Sequence, residues 1–261
     1  MKLALTGKGG VGKTSIVALF ARVLKDRGNK VLLIDADPDM NLTTVLGIPS
    51  STNITPIVEL KELIAERTGV EVGKSAPFFK MNPKVDDIPD RYCVEHNGLK
   101  LIVMGTIRKG GGGCACPENA FLKNLLSYLV INSEEWVILD MEAGIEHLGR
   151  GTAIGVNHMI VVVEPNRTSV ETAIRIEKLT GEIGIKNLHI IGNKIQNNEE
   201  VEFIKKSVKD INILGFIKSS NSIKELSLET GQSQREIDRE SLTQIEHIIN
   251  RLEAIPVESA I

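Results

Sequence analysis

Short, unbroken apolar runs alternate along the chain with longer segments whose apolar positions recur at helical spacing. Met1-Lys2-Leu3-Ala4-Leu5, Lys30-Val31-Leu32-Leu33-Ile34-Asp35 and residues 99–105, 134–140, 158–165, 188–194 and 211–216 are the runs. Their length and continuous apolarity predict strands buried on both faces. Residues 15–27, 41–46, 57–67, 118–129, 169–181 and 237–252 read as helices; Ile57, Leu60, Leu63 and Ile64 share one face, and Leu242, Ile245, Ile248 and Ile249 another. Strand and helix in alternation predict an α/β fold, a doubly wound, mostly parallel sheet of seven or eight strands with helices on both faces. Residues 68–99 break the rhythm with Gly73, Pro77, Pro83 and Pro89, and read as an excursion with short strands at most. No linker or internal repeat divides the chain, so residues 1–261 are expected to form a single domain.

The first strand runs into Thr6-Gly7-Lys8-Gly9-Gly10-Val11-Gly12-Lys13-Thr14, and a helix follows. Gly7-x4-Gly12-Lys13-Thr14 in that context is the spacing of a phosphate-binding loop. Its glycines let successive backbone N–H groups face one anion, and the helix start adds its positive dipole end. Gly9, Gly10, Val11, Gly12, Lys13, Thr14 and Ser15 are therefore the expected nucleotide contacts. Lys13 would reach the terminal phosphates, and Thr14 would hold Mg²⁺ through its hydroxyl. Lys8 lies too far round the loop to serve the same phosphates with ease. Either it is a solvated surface lysine or it reaches the nucleotide of a facing subunit.

Carboxylates gather at two strand ends. Asp35-Ala36-Asp37-Pro38-Asp39 closes the second strand, where ligands bind in doubly wound sheets, and suits Mg²⁺ coordination through water or the orientation of an attacking water. The bland alternative is a solvated turn in which Asp35 caps the next helix. Asp140, at the end of a central strand, reads as a Walker B carboxylate holding a magnesium-bound water. Beyond it Gly144 can bring a backbone N–H to a γ-phosphate; Glu146 and His147 read as a helix-start acid and a packed histidine, the alternative being a relay of that contact toward the interface.

Charge narrows the partners. The formal net charge is −3, with acidic and basic residues interspersed, which argues against nucleic acid and against a membrane surface. No run approaches the roughly 18 apolar residues of a membrane span, and the first strand leaves no room for a signal peptide. A cytoplasmic location is expected. Three cysteines make no disulfide framework, but Cys114 and Cys116 follow a run of four glycines, Gly110 to Gly113. In an extended segment residues i and i+2 point the same way, so both thiols can face one metal ion. A tetrahedral thiolate site takes about four ligands, so the pair is incomplete unless a second copy faces it across a two-fold axis. Lys8 and the cysteines thus point independently to a homodimer. Ni²⁺, Zn²⁺, Cu(I) and an iron–sulfur cluster all suit such thiolates, and two structural buried cysteines are the alternative. Cys93 and His96, without close partners, are weaker metal candidates.

Lys8 in Lys-Gly-Gly-Val-Gly-Lys-Thr resembles the deviant Walker A motif of the nitrogenase iron protein, MinD and ParA class of ATPases. Together with Asp35-x-Asp37-Pro38-Asp39, the glycine run with its two cysteines, Asp140-Met141-Glu142-Ala143-Gly144-Ile145-Glu146-His147 and Glu164-Pro165-Asn166, the chain resembles the CooC family over nearly its whole length. These ATPases assist nickel insertion into carbon monoxide dehydrogenase, and the factor for acetyl-CoA synthase is similar. The resemblance implies catalytic roles for Lys8, acting across a nucleotide-sandwich dimer, for Lys13, and for Asp37, which would position the attacking water. It also implies Asn193 as a purine contact, nickel as the physiological metal at Cys114 and Cys116, and one of the two nickel enzymes as client. A MinD-like or ParA-like positioning ATPase would use the same dimer on membrane or DNA, but residues 254–261 carry no lysine or arginine. A nitrogenase-like reductase would ligate its cluster through cysteines far apart in sequence.

Overall fold

The apolar runs assemble into one sheet. The computed structural model describes residues 1–72, 78–105, 117–143, 155–226 and 236–256. Its strands are Lys2–Thr6 (β1), Val31–Ala36 (β2), Val94–His96 (β3), Leu99–Val103 (β4), Trp136–Met141 (β5), His158–Val163 (β6), Leu188–Ile195 (β7) and Asn212–Lys218 (β8). They lie in the order β3-β4-β2-β5-β1-β6-β7-β8. Every pairing is parallel except that of β3 with β4. The eighth strand is the piece of the 68–99 excursion that returns to the sheet. It turns back at Asn97-Gly98, whose φ values of 50° and 77° suit the tight turn of a two-residue hairpin.

The helices are Lys13–Asp26 (α1), Leu42–Val45 (α2), Lys61–Thr68 (α3), Ile88–Tyr92 (α4), Pro117–Asn132 (α5), Arg167–Ile183 (α6), Asn198–Ser207 (α7), Asn221–Glu225 (α8) and Arg239–Glu253 (α9). Period-two alternation along the strands sorts the apolar residues between two cores. Ala4, Leu32, Ile34, Leu139 and Val161 meet α3 to α7 on one face. Leu3, Leu5, Leu33, Ile138 and Val162 meet α1, α2, α8 and α9 on the other. Strands buried on both faces leave no polar face, which is why they read as unbroken runs.

Two departures from the periodicity have physical causes. Residues 57–67 are not one helix but a 3₁₀ turn, Ile57–Glu59, followed by α3. Val58 N–H is taken by the Met104 carbonyl at 3.0 Å, and Leu60 breaks out of helical geometry at ψ 62°. The polar helix α7 buries only Ile204, so it carries almost no apolar stripe. Its signal is instead Asn197-x-x-Glu200. The Asn197 side chain accepts from Glu200 N–H at 3.0 Å while the Glu200 carboxylate accepts from Gln196 N–H at 2.7 Å, the reciprocal logic of a capping box. Among the described residues no helix is long and apolar enough to cross a membrane.

At the sheet end where β6 begins, His158 and His189 are buried side by side, with Nδ1 of His158 3.0 Å from Nε2 of His189. With the Asn212 amide assigned as donor to His189 Nδ1 at 3.0 Å, His189 carries its proton on Nε2 and donates it to His158. Burial, and then the neighbouring imidazole, push His189 down to about 4. The native state therefore binds fewer protons than the unfolded chain between that value and 6.5, so the stability from this pair is present above 6.5 and is lost as pH falls. In urea unfolding, the advantage of the wild type over His189→Leu is expected to shrink by about 2 kcal/mol between pH 7 and pH 5. A difference independent of pH would contradict the neutral buried pair.

Candidate nucleotide site

Strand order reverses around β1, with β2 and β4 on one side and β6, β7 and β8 on the other. The loop leaving the C-terminal end of β1 therefore opens at a topological switch point, where doubly wound sheets bind ligands. The loop is pressed onto its neighbours. Gly7 has φ +143°, and a Cβ there would lie 2.5 Å from the Val162 carbonyl oxygen of β6. Gly12 has φ +92°, and its Cβ would lie 2.5 Å from Nδ2 of Asn193. Both positions exclude side chains by sterics as well as by backbone conformation. Gly12 is also the N-cap of α1, whose first turn has no side-chain cap and no acidic residue. Its free N–H groups are thus available to an anion.

β7 holds this loop from beneath. The Asn193 amide donates to the Val11 carbonyl at 2.8 Å. Lys194, at φ +60°, donates to the Gly10 carbonyl at 2.7 Å and is ion-paired with Glu164. The sequence reading missed Lys194; the adjacent Asn193 was the only signal pointing to this strand end.

Lys13 is buried, and its ammonium lies 3.7 Å from the Asp37 carboxylate. Asp35 organises the backbone that carries Asp37. One of its oxygens accepts from Asp37 N–H at 3.2 Å and the other from Leu42 N–H, at the start of α2, at 3.2 Å. Burial, and then the charge of Asp140, push the Asp35 carboxyl up to about 7. Asp140 is its direct neighbour across β2 and β5. It is fully buried, and among the described residues neither of its oxygens has a hydrogen-bond partner. Burial pushes its carboxyl up to about 6, opposed by the Thr14 hydroxyl and the Lys13 ammonium. A buried, unpartnered carboxylate beside a hydroxyl and a phosphate-loop lysine is the donor chemistry of a hard divalent cation, so these residues fit Mg²⁺.

A cleft of about 620 Å³ runs from this loop to the segment after β8, with Asn193, Ser219 and Ser220 in its wall. Gly9, Gly10, Gly12, Lys13, Thr14, Ser15, Asp37 and Asn193 all line it. A larger cavity, of about 920 Å³, opens at the opposite end of the sheet; of the candidate residues within the described ones it is lined by Cys93 alone. Lys8 is exposed and donates to the Thr168 hydroxyl at 2.9 Å, on the first turn of α6. Cys114, Cys116, Gly144, Glu146 and His147 lie outside the described residues. Among the described residues no three His, Cys, Asp or Glu side chains converge as a metal cluster. Cys93 is half-buried, with its thiol pushed up by burial, and the His96 ring meets the Asn97 amide at 2.9 Å.

The family model of the CobQ/CobB/MinD/ParA nucleotide binding domain matches residues 3–232. The chain is 44% identical over 225 residues, 85% of each chain, to the carbon monoxide dehydrogenase accessory protein CooC of Rhodospirillum rubrum. It is 41% identical over 253 residues, 96% of each chain, to an uncharacterized ATP-binding protein of Methanocaldococcus jannaschii. Among solved structures, the MinD cell division protein of Aquifex aeolicus superposes with a TM-score of 0.66 at 21% identity, covering 99% of this chain and 100% of that one. MinD of Pyrococcus horikoshii, complexed with Mg-ADP, gives 0.66 at 17% identity over 97% and 96% of the two chains. At these identities the structural likeness shows the fold alone.

Ionising a buried carboxylate that has no partner destabilises the fold, and the sign of the pH effect follows. With its folded value raised from 3.8 to about 6, native Asp140 holds its proton where the unfolded chain has lost it, so stability falls as pH rises through that window. Asp140→Asn is expected to be more stable than the wild type at pH 8 without magnesium or nucleotide, by about 1–3 kcal/mol. That gain should vanish toward pH 4, and the stabilisation by MgATP should be lost in the variant. Thermal unfolding at several pH values checks this. A variant less stable at pH 8 would contradict it.

Proposed function

The chain belongs to the CobQ/CobB/MinD/ParA nucleotide-binding family as an ATPase of the CooC type, and on that premise we propose that it is a cytoplasmic maturation factor assisting nickel insertion into carbon monoxide dehydrogenase or acetyl-CoA synthase. The observation that carries the ATPase half is the orphaned Asp140 carboxylate beside Lys13 and Thr14 at the foot of the phosphate loop. The client is inferred from the likeness to the Rhodospirillum rubrum accessory protein and from the paired Cys114 and Cys116.

Lys13 exchanges Asp37 for the phosphates when ATP docks, and backbone N–H groups of Gly9 to Ser15 receive the phosphate oxygens. Thr14 and Asp140 would hold Mg²⁺, which neutralises phosphate charge when bound. Asp37, released from Lys13, orients a water for attack on the γ-phosphorus. The bond to the bridging oxygen breaks, giving ADP and phosphate, and Gly144 N–H supports the transferred group. Asn193 closes the base end of the cleft. Lys8 leaves Thr168 and completes charge neutralisation on the nucleotide of a second copy, so the active unit is a homodimer. Closure rearranges Cys114 and Cys116 of both copies around nickel, with zinc able to take the same thiolates, and reopening after hydrolysis passes nickel to the client. Neither nucleic acid nor a membrane takes part.

Lys8→Ala and Asp37→Ala are expected to lower the steady-state ATPase kcat by about a hundredfold or more, a loss comparable to removing a preorganised charge from a transferring phosphoryl group. An unchanged rate would remove their roles. Replacing Cys114 and Cys116 together by Ala is expected to leave the client without nickel-dependent activity when the two are co-expressed. Normal client activity would defeat metal delivery.

A further inference from the structure

The far wall of the cleft is held by a carboxylate that lies outside it. β8 ends at Lys218, and Ser219 and Ser220 carry the chain into α8. Ser219, Ser220, Ile223 and Lys224 line the cleft opposite the phosphate loop. The short helix α8 is seated in the core through Ile223. It is also fastened from the C-terminal helix. Asp238, the N-cap of α9, accepts from Ser241 N–H through Oδ1 at 2.8 Å. Its other oxygen, Oδ2, accepts from the hydroxyls of Ser220 at 2.6 Å, Ser222 at 2.7 Å and Ser241 at 2.8 Å. The Asp238 N–H in turn meets the Ser222 hydroxyl at 3.3 Å.

Capping a helix needs one acceptor, and a serine, threonine or asparagine would supply it. The second oxygen of Asp238 has no part in the cap's backbone bond and binds two hydroxyls of the cleft segment. Desolvation raises the carboxyl, but the bonds from Ser220, Ser222 and Ser241 outweigh it and hold the group well below the usual carboxylate range. The anchors are therefore charge-assisted hydrogen bonds, the stronger kind. Two further contacts set the same segment. Lys218 N–H donates to the Gln244 side chain of α9 at 3.0 Å, and Ser219 N–H to the Ile195 carbonyl of β7 at 2.9 Å.

Beyond the phosphate loop the cleft is lined by residues 37–45, which bring the Asp37 and Asp39 carboxylates to the phosphate end, and by residues 219–224, which are left for the base. We propose that Asp238 is a positioning residue for nucleotide binding: through Ser220 and Ser222 it fixes the wall against which the adenine lies, without touching the nucleotide. This rests on the ATP-site reading above. Its distinctive consequence is that Asp238 matters to the base and not to the phosphates.

The test uses the full chain and two ligands, ATP and inorganic tripolyphosphate, each with magnesium. Tripolyphosphate presents the phosphates without a base. Asp238→Ser keeps a capping oxygen for Ser241 but is too short to reach Ser220 and Ser222. A variant with Ser220→Ala and Ser222→Ala leaves Asp238 and the cap untouched, and stands should the first fold poorly. Both are expected to raise KM for ATP about tenfold, and to leave the inhibition constant of tripolyphosphate unchanged. Asp238→Ser should retain its kcat at saturating ATP. An unchanged KM in both variants would overturn the proposal, as would tripolyphosphate weakening in step with ATP, which marks general loosening. A wild-type chain that binds tripolyphosphate but shows no preference for ATP over it would overturn the ATP-site reading itself.

Discussion

A carboxylate without a partner, buried at the end of a central strand, is the constraint on which the site depends. Asp140 sits directly beside Asp35, and both are removed from solvent. Burial pushes both carboxyls toward their neutral forms, reinforced at Asp35 by the charge of Asp140 and at Asp140 by that of Asp37. Asp35 compensates through two backbone N–H bonds that shape the turn carrying Asp37. Asp140 accepts no backbone bond of this kind among the described residues. Its neighbours of opposite or polar character are Lys13 and Thr14, both from the phosphate loop. A fold that keeps such a group gives up stability at that corner, a common signature of a working site.

The rest of the site is arranged around keeping that corner rigid and the loop above it open. Thr6 ties the end of β1 to the end of β5 through the Glu142 carbonyl at 2.7 Å. Gly7 lets the loop lie against β6, while Asn193 and Lys194 bind two successive loop carbonyls from β7. The carbonyls are thereby turned toward β7, which leaves backbone N–H groups for an anion. Asn193 both touches the loop and lines the cleft. A chain of bonds also leads from Lys8 through Thr168, Asn166 and Glu164 to Lys194 and back to the loop at Gly10. Any movement of Lys8 toward a second subunit therefore starts from a contact already joined to the phosphate site.

Much of this was legible beforehand, for identifiable reasons. Strands covered on both faces must be apolar throughout, so the runs at Val31, Val137 and Met159 announced a parallel sheet. The phosphate loop and the strand-end acids are local in sequence, so spacing drew attention to Lys13, Thr14, the acids of residues 35–39 and Asp140, and the resemblance picked out Asp37 among them. What escaped were features decided by distant partners. The break at Leu60 follows from the bond of Val58 to Met104, across the excursion. Helix α7 has too little apolar surface to declare itself, although Asn197 and Glu200 wrote its cap. The engagement of Lys8 by Thr168 spans 160 residues, and the hold of Asp238 on Ser220 spans 18. Neither has a periodicity or motif to betray it. Asn193, read as a purine contact, is tied through its amide to the loop backbone, an interaction that only the packing of β7 beneath the loop reveals.

The central claim joins ATP turnover to a metal held between two copies of the chain. It is tested most directly by the mass of the intact assembly under anaerobic conditions, with a slowly hydrolysed ATP analogue, magnesium and nickel supplied together. The expected species is a dimer carrying two nucleotides and one nickel ion, with the ion absent when Cys114 and Cys116 are both alanine. A monomer under these conditions, or a dimer whose nickel content does not depend on the cysteines, would contradict the claim.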